Sequence, residues 1–148
     1  MADYPEYFDK VADWIFNEFV NGIRRGVAYE QVLASVKGCR TDAMPIRYAA
    51  IIDNACVGTV ALVANDLKCR NYTPWLASLF VDPAYRNKKI GERLVEKIKG
   101  LAAEKGYGEL YLRTEHASGY YKKRGWQFVE SCVDEYGVST EVYKISLV

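Results

Sequence analysis

The sequence predicts a mixed α/β domain, and three patterns along the chain lead to that prediction. In the middle, the apolar run Trp75–Val81 is followed by a long amphipathic segment and then by the short alternating run Glu109–Thr114, which is the order of a parallel β-α-β unit. On either side, pairs of strand-like runs joined by turn residues are typical of antiparallel hairpins. The chain opens with helical periodicity rather than with a strand. We therefore expect a central mixed sheet flanked by helices.

The first half of the chain is predicted to hold two helices and a hairpin. Apolar residues recur at helical spacing over residues 7–19, and a second helix is expected over residues 29–36. Residues 47–52 and 57–63 are predicted strands. They lie on either side of Asp53-Asn54, a pair of residues that favours a tight hairpin turn.

The second half is predicted to hold, in order, strand 75–81, helix 90–105, strand 109–114, helix 117–124 and strands 126–132 and 141–147. The first of these strands is apolar enough to be buried on both faces, as in the centre of a parallel sheet. Gly106 and Gly125 follow the two helices and are suitable residues to end them. No repeat, linker or low-complexity segment interrupts the chain, so we expect residues 1–148 to form a single domain.

The composition argues against several classes of function. The 148 residues carry 20 Lys and Arg against 19 Asp and Glu, and the net charge of +1 gives no field that would attract nucleic acid or an anionic membrane. The four cysteines have no Cys-x-x-Cys spacing and His116 is the only histidine, which argues against a metal site. No signal-peptide pattern and no apolar run of membrane-spanning length is present. We expect a cytoplasmic protein with reduced thiols and no metal.

One cationic loop stands out against this neutral background. Arg86, Asn87, Lys88 and Lys89 follow the central strand and lead directly into a helix that begins near Ile90. The first backbone N–H groups of a helix have no partner within it, and the helix dipole favours negative charge at the same end. The loop therefore predicts a phosphate-bearing ligand. Neither the P-loop pattern nor the dinucleotide-binding glycine pattern occurs here.

This segment resembles the cofactor-binding motif of the GNAT superfamily of N-acetyltransferases, and the matching residues are Val81, Pro83, Arg86, Ile90 and Gly91. The resemblance implies the GNAT fold, a mixed sheet in which two central parallel strands splay apart, here with the family's first strand short or missing. It also implies acetyl-CoA as the cosubstrate. Its diphosphate would lie on the loop formed by Arg86, Asn87, Lys88, Lys89, Ile90, Gly91 and Glu92, and its pantetheine arm along Phe80 and Val81.

Lys89 is the main departure from the family pattern, because it stands where the first loop glycine is expected, and Asn87 stands where a second glycine is common. Two conformations are open to Lys89. With negative φ its ammonium would lie near the phosphates, and this is the conformation we expect. A left-handed conformation would instead strain the backbone, since a lysine adopts it less easily than asparagine or glycine.

The candidate catalytic residues lie further along the chain. The run Tyr120 to Trp126 resembles the GNAT element in which a tyrosine meets the cofactor sulfur, so Tyr121 is the expected acid for the departing thiolate. The attacking amine must also lose a proton. Histidine is the residue type whose unperturbed pKa lies near neutral pH, so His116 is one candidate base, and Glu115 and Asp66 are the carboxylate alternatives. Thr114 replaces the asparagine of the family's N-x-x-A pattern and is expected to hydrogen-bond the pantetheine arm.

These residues predict an acetyl-CoA-dependent N-acetyltransferase, in which a primary amine of a small molecule, peptide or protein attacks the thioester directly in a ternary complex. The alternative is a non-catalytic acyl-CoA-binding or regulatory module of the same fold, and Lys89 is the residue that supports it. Acceptor specificity is expected in the loops 21–29, 65–74 and 134–139, which carry charges of both signs. A homodimer is left open.

Overall fold

The computed structural model describes all 148 residues as a six-stranded sheet with helices on both faces. The strands are β1 (Ile46–Ile52), β2 (Ala55–Val63), β3 (Trp75–Val81), β4 (Glu109–Thr114), β5 (Gln127–Val133) and β6 (Ser139–Ser146). The helices are α1 (Phe8–Ile15), which continues as a π-helical turn over Phe16–Val20, α2 (Tyr29–Lys37), α3 (Ile90–Glu104) and α4 (Ser118–Lys123). Short 3₁₀ turns occupy Pro5–Tyr7 and Pro83–Tyr85. None of the helices is both long and apolar enough to span a membrane.

The strand order is β1-β2-β3-β4-β6-β5, and every neighbouring pair is antiparallel except β3 and β4. The predicted mixed sheet is therefore confirmed, as is the helical start, because α1 and α2 both precede the first strand. Asp53 and Asn54 form the β1–β2 turn with φ of 50° and 65°, the left-handed pair that the hairpin needs. The largest differences from the predicted bounds are the starts of β2 and β6, each two residues earlier than expected, and the π-helical turn that ends the first helix.

Two apolar clusters hold the helices on opposite faces of the sheet. On one face α3 buries Leu94, Val95, Ile98 and Ala102 against side chains of β2, β3, β4 and β6. On the other face α1 and α2 pack together over the β1–β2 side of the sheet around buried Val11, Ile15 and Val36. Since α3 follows β3 and precedes β4, its packing fixes the helix N-terminus at the carboxyl ends of those two strands.

β3 and β4 part soon after they meet, and this separation creates the site. They pair through a single register position, Trp75 opposite Tyr111, near the start of β3. Further along, β3 carries a bulge: the β2–β3 register shifts between Thr59 and Ala61, and Ser78 has φ of 55°. A bulge bends the strand that contains it and changes its twist. Beyond the bulge the β4-facing edge of β3 has no strand partner, as the splayed sheet requires.

Candidate active site

The splayed strands open into a cleft of about 1120 Å³. Its walls are the edge of β3 from Ala77 to Val81, the end of β4 with the residues that follow it, and α4. One end is closed by the loop that begins α3, and the other by the π turn after α1 and the loops beyond β2 and β5. All but one of the expected site residues line this cleft. Lys88 does not line it, and its ammonium lies 5.3 Å from the ring centre of Tyr85.

The loop at the start of α3 presents an unusual run of free hydrogen-bond donors. Six consecutive backbone N–H groups, those of residues 87–92, donate to no group in the protein, whereas Arg86 N–H and Arg93 N–H on either side do. Four free N–H groups are normal at a helix N-terminus. The longer run, at the positive end of the helix dipole, is a site built for an anion with several oxygens.

Two left-handed residues shape this run of donors. Asn87 has φ of 66° and Lys89 has φ of 61°, and Lys89 caps the N-terminus of α3. The expectation that Lys89 has negative φ is therefore wrong. The physical reason is that the backbone path from β3 into α3 needs the left-handed region at these two positions, whichever residues stand there. For a lysine the cost is about 1–2 kcal/mol.

Side chains of the loop leave the donors accessible. Arg86 turns back, with its Nε donating to the carbonyl oxygen of Val81 at 3.0 Å and its guanidinium over the ring of Phe80. The exposed Lys89 makes no ion pair. A Cβ added at Gly91 would meet only Val81 Cγ2, at an ordinary contact distance of 3.7 Å. Nothing inside the protein therefore requires a glycine at position 91, whereas a ligand in close contact with the backbone would.

Tyr121 projects from α4 between Tyr120 and Trp126, whose rings it meets edge to face at centroid distances of 5.1 Å and 5.9 Å. Its hydroxyl makes no hydrogen bond within the protein, and no buried polar atom lacks a partner, so the oxygen is accessible to solvent, and the side chain lines the cleft. Burial raises the pKa of Tyr121 to about 12. The hydroxyl is therefore protonated at every physiological pH and can donate a hydrogen bond into the cleft.

The residues after β4 occupy the middle of the cleft. Thr114 Oγ1 accepts hydrogen bonds from the N–H groups of Ala117 at 2.9 Å and His116 at 3.4 Å, and so it fixes the turn that leads into α4. Its hydroxyl proton remains available to a ligand. His116 is exposed at the cleft wall. Glu115 is fully engaged, because Oε1 accepts from Arg24 Nη2 at 3.1 Å and Oε2 accepts from Thr140 Oγ1 at 2.8 Å.

A chain of alternating charges, not predicted from the sequence, forms the wall opposite the donor run. Asp134, whose side chain is fully buried, accepts from Arg24 Nε at 3.0 Å and Arg113 Nη1 at 3.2 Å. Arg24 continues to Glu115, and Arg113 Nε lies 3.5 Å from Asp66 Oδ2. Burial alone would raise the pKa of Asp134, but the backbone N–H groups of Val138 and Tyr136 and the Arg24 guanidinium hold it below its usual value. The Asp134 carboxylate is therefore ionised at neutral pH and pairs with both guanidinium groups.

The sequence matches the model of the Acetyltransferase (GNAT) family over residues 8–126. The chain belongs to the GNAT family. An uncharacterised N-acetyltransferase of Chlorobaculum tepidum is 40% identical over 62 residues, which are 40% of this chain and 39% of that protein. The match thus spans less than half the length of that curated relative.

Solved GNAT structures share the fold of this chain. Aminoglycoside 6'-N-acetyltransferase in complex with coenzyme A matches with a TM-score of 0.75 and 17% identity, over 97% of this chain and 92% of that chain. A GNAT-family acetyltransferase from Staphylococcus aureus Mu50 matches with a TM-score of 0.71 and 23% identity, over 99% and 94% of the two chains. At these identities the similarity establishes the fold alone.

Proposed function

We propose that this GNAT protein is an acetyl-CoA-dependent N-acetyltransferase that modifies a primary amine of a small molecule, peptide or protein. The observation that carries the proposal is the run of six free N–H groups at residues 87–92, which opens onto the same cleft as the unpaired β3 edge and the Tyr121 hydroxyl. The first feature suits a diphosphate, the second an extended amide-bearing arm, and the third a sulfur leaving group.

Two features of the cleft support binding of the diphosphate and the pantetheine arm of acetyl-CoA. The diphosphate would accept from the backbone of residues 87–92, with Lys89 and Arg86 contributing positive charge. The pantetheine arm carries amides that could pair with the free edge of β3 at Phe80 and Val81, as an added strand does. The half-buried Phe80 side chain packs on Trp14 at a centroid distance of 5.2 Å and under the Arg86 guanidinium, so its backbone is the proposed binding element.

In the reaction, the amine nitrogen attacks the thioester carbonyl carbon, the C–S bond breaks, and its electron pair leaves on sulfur. Tyr121 supports this step as a hydrogen-bond donor to the sulfur. A phenol of pKa about 12 facing a thiol of reference pKa about 8.5 stabilises the thiolate more readily than it gives up its proton. Holding amine and thioester together in one cleft contributes further to the rate enhancement.

The acceptor would enter at the charged wall. Glu115 was expected as one of the alternatives to His116 for the base, but both of its oxygens accept hydrogen bonds from Arg24 and Thr140, which favours a structural role. His116 remains accessible. An aminoglycoside, the acceptor named for one of the structures that shares this fold, is one primary amine to include among those tested. The non-catalytic alternative loses its main support, since Lys89 leaves the donor loop intact by adopting the left-handed conformation.

The test is the release of free thiol from acetyl-CoA by the purified protein, in the presence and absence of a panel of primary amines, with mass spectrometry of the acetylated product. We expect thiol release that requires both protein and amine. If the protein binds CoA but releases no thiol from acetyl-CoA with any amine of the panel, the non-catalytic module is favoured instead.

A further inference from the structure

Asp66 is held firmly at the mouth of the cleft, although it lies in the loop between β2 and β3. The next residue, Leu67, is completely buried with Trp75 and Val142. On the other side, Asn65 Nδ2 donates to the carbonyl oxygen of Arg70 at 2.8 Å, and Arg70 N–H donates to that of Leu67 at 3.0 Å. These contacts fix the backbone of the loop, so the position of the Asp66 carboxylate is set by the core rather than by the ligand.

The oxygens of Asp66 are the least engaged of the three carboxylates in the charged wall. Asp66 makes no hydrogen bond within the protein, and its one ionic contact is the 3.5 Å approach of Arg113 Nε. Its side chain is 32% exposed. Asp134, by contrast, is buried and accepts from two guanidinium groups and two backbone N–H groups. Both oxygens of Glu115 are also occupied. Asp66 therefore has more lone pairs free to receive a proton than either of the other two.

The charges around Asp66 nearly balance. Arg113 on β4 and Arg24 after α1 favour its ionised form, whereas Glu115 after β4 and Glu135 in the β5–β6 loop disfavour it. The buried Arg47 on β1 is a further positive group near it. Burial is the largest influence and raises the pKa of Asp66 to about 6 despite Arg113. A base with this pKa is ionised at neutral pH and still accepts a proton readily.

We infer that Asp66 is the proton acceptor for the incoming amine and that Arg113, held by Asp134, is its positioning residue. This inference rests on the proposed function. As the C–N bond forms, the amine nitrogen becomes positively charged and strongly acidic, and its proton passes to a carboxylate oxygen of Asp66. The C–S bond then breaks, the thiolate leaves hydrogen-bonded to Tyr121 and takes a proton from water, and Asp66 returns its proton to solvent. The amine thus loses one proton, the thiol gains one, and Asp66 is regenerated.

Asp66→Asn keeps the size of the side chain and removes the base. We expect kcat to fall by roughly a hundredfold or more, the usual effect of losing a general base. CoA affinity measured by calorimetry should not change, because Asp66 lies away from the donor loop. In wild type, kcat/KM should rise with pH through about 6, and this acidic limb should vanish in Asp66→Asn. In Arg113→Lys the acidic limb of the kcat/KM profile should remain, with its midpoint shifted. In His116→Gln the limb should remain with its midpoint unchanged.

A second measurement needs neither a variant nor turnover. Carboxyl ¹³C NMR of the free wild-type protein should show Asp66 titrating near 6. A normal titration near pH 4, an unaltered rate and pH profile in Asp66→Asn, or loss of the acidic limb in His116→Gln would each overturn the assignment. Failure of the acetyltransferase proposal is a different result: wild type would then release no thiol with any amine, whatever the titration of Asp66.

Discussion

Replacing Lys89 with glycine should stabilise the protein, although it deletes a charged side chain. Lys89 has φ of 61° at the N-terminus of α3, where its Cβ costs about 1–2 kcal/mol relative to glycine. The unfolded chain has more conformational entropy with glycine at this position, which lowers the free energy of unfolding by about 0.4–1 kcal/mol and offsets part of the gain from relieving the strain. Glycine is also an accepted helix N-cap. The net stabilisation is about 0.5–1 kcal/mol, and for a chain of this length it raises the Tm by about 2–3 °C.

The assay is denaturant and thermal unfolding of wild type, Lys89→Gly and Lys89→Ala. Alanine removes the same ammonium but keeps the strained Cβ, so its stability should match that of wild type. The CoA affinity of the two variants measures the effect of losing the ammonium charge. Both variants should bind CoA equally, and up to about fivefold more weakly than wild type, since an exposed charge contributes about 1 kcal/mol or less. A glycine variant no more stable than the alanine variant would refute the reasoning, because it would mean that position 89 is not strained.

Three further predictions concern the site and the sheet. Gly91→Ala should fold normally but bind CoA roughly tenfold or more weakly, because the new methyl group would displace a charge-assisted hydrogen bond. The control is Gly100→Ala, in the same helix and facing open space, which should leave CoA affinity unchanged. Equal CoA affinities of the two variants would show that the diphosphate does not bind to this loop. Tyr121→Phe should retain CoA affinity and lower turnover by roughly a hundredfold, the usual effect of losing one hydrogen-bond donor to a developing negative charge. An unchanged kcat, in an assay where chemistry limits the rate, would make Tyr121 structural. On β5, hydrogen bonds from Arg70 and Tyr72 lower the pKa of Glu130 to about 2, below its unfolded value of about 4.3. This stabilisation is present above about pH 5 and is lost as the pH falls toward 2, so the Tm of Glu130→Gln should depend less on pH in that window; identical slopes would contradict the assignment.

Much of the fold was accessible from the sequence because local rules determine it. The apolar run of β3, the stripe along α3 and the Asp53-Asn54 turn each specify an element with little help from distant residues. The order of these elements, together with the motif from Val81 to Gly91, is enough to predict the mixed sheet and the family, both of which are confirmed.

The remaining features depend on contacts that no local pattern reveals. Arg24 meets Asp134 across 110 residues and Glu115 across 91, so the charged wall exists only once the sheet has formed. The bulge at Ser78 follows from pairing with β2 rather than from the residues of β3. Lys89 was misjudged for a related reason. Local preference disfavours a left-handed lysine, but the packing of β3 and α3 on either side dictates the path of the loop.

The most direct test of acetyl-CoA binding is a ¹⁵N–¹H NMR titration of the wild-type protein with CoA, with pantetheine as a matched ligand that lacks the diphosphate. Amide protons that begin to donate to phosphate oxygens move downfield. With CoA we expect large downfield shifts for the amides of residues 87–92, which have no acceptor in the protein. Pantetheine should instead shift amides along the β3 edge near Phe80 and Val81 and leave residues 87–92 unchanged. CoA binding that leaves the amides of residues 87–92 where they were would contradict the assignment of this loop, and with it the proposed site of acetyl transfer.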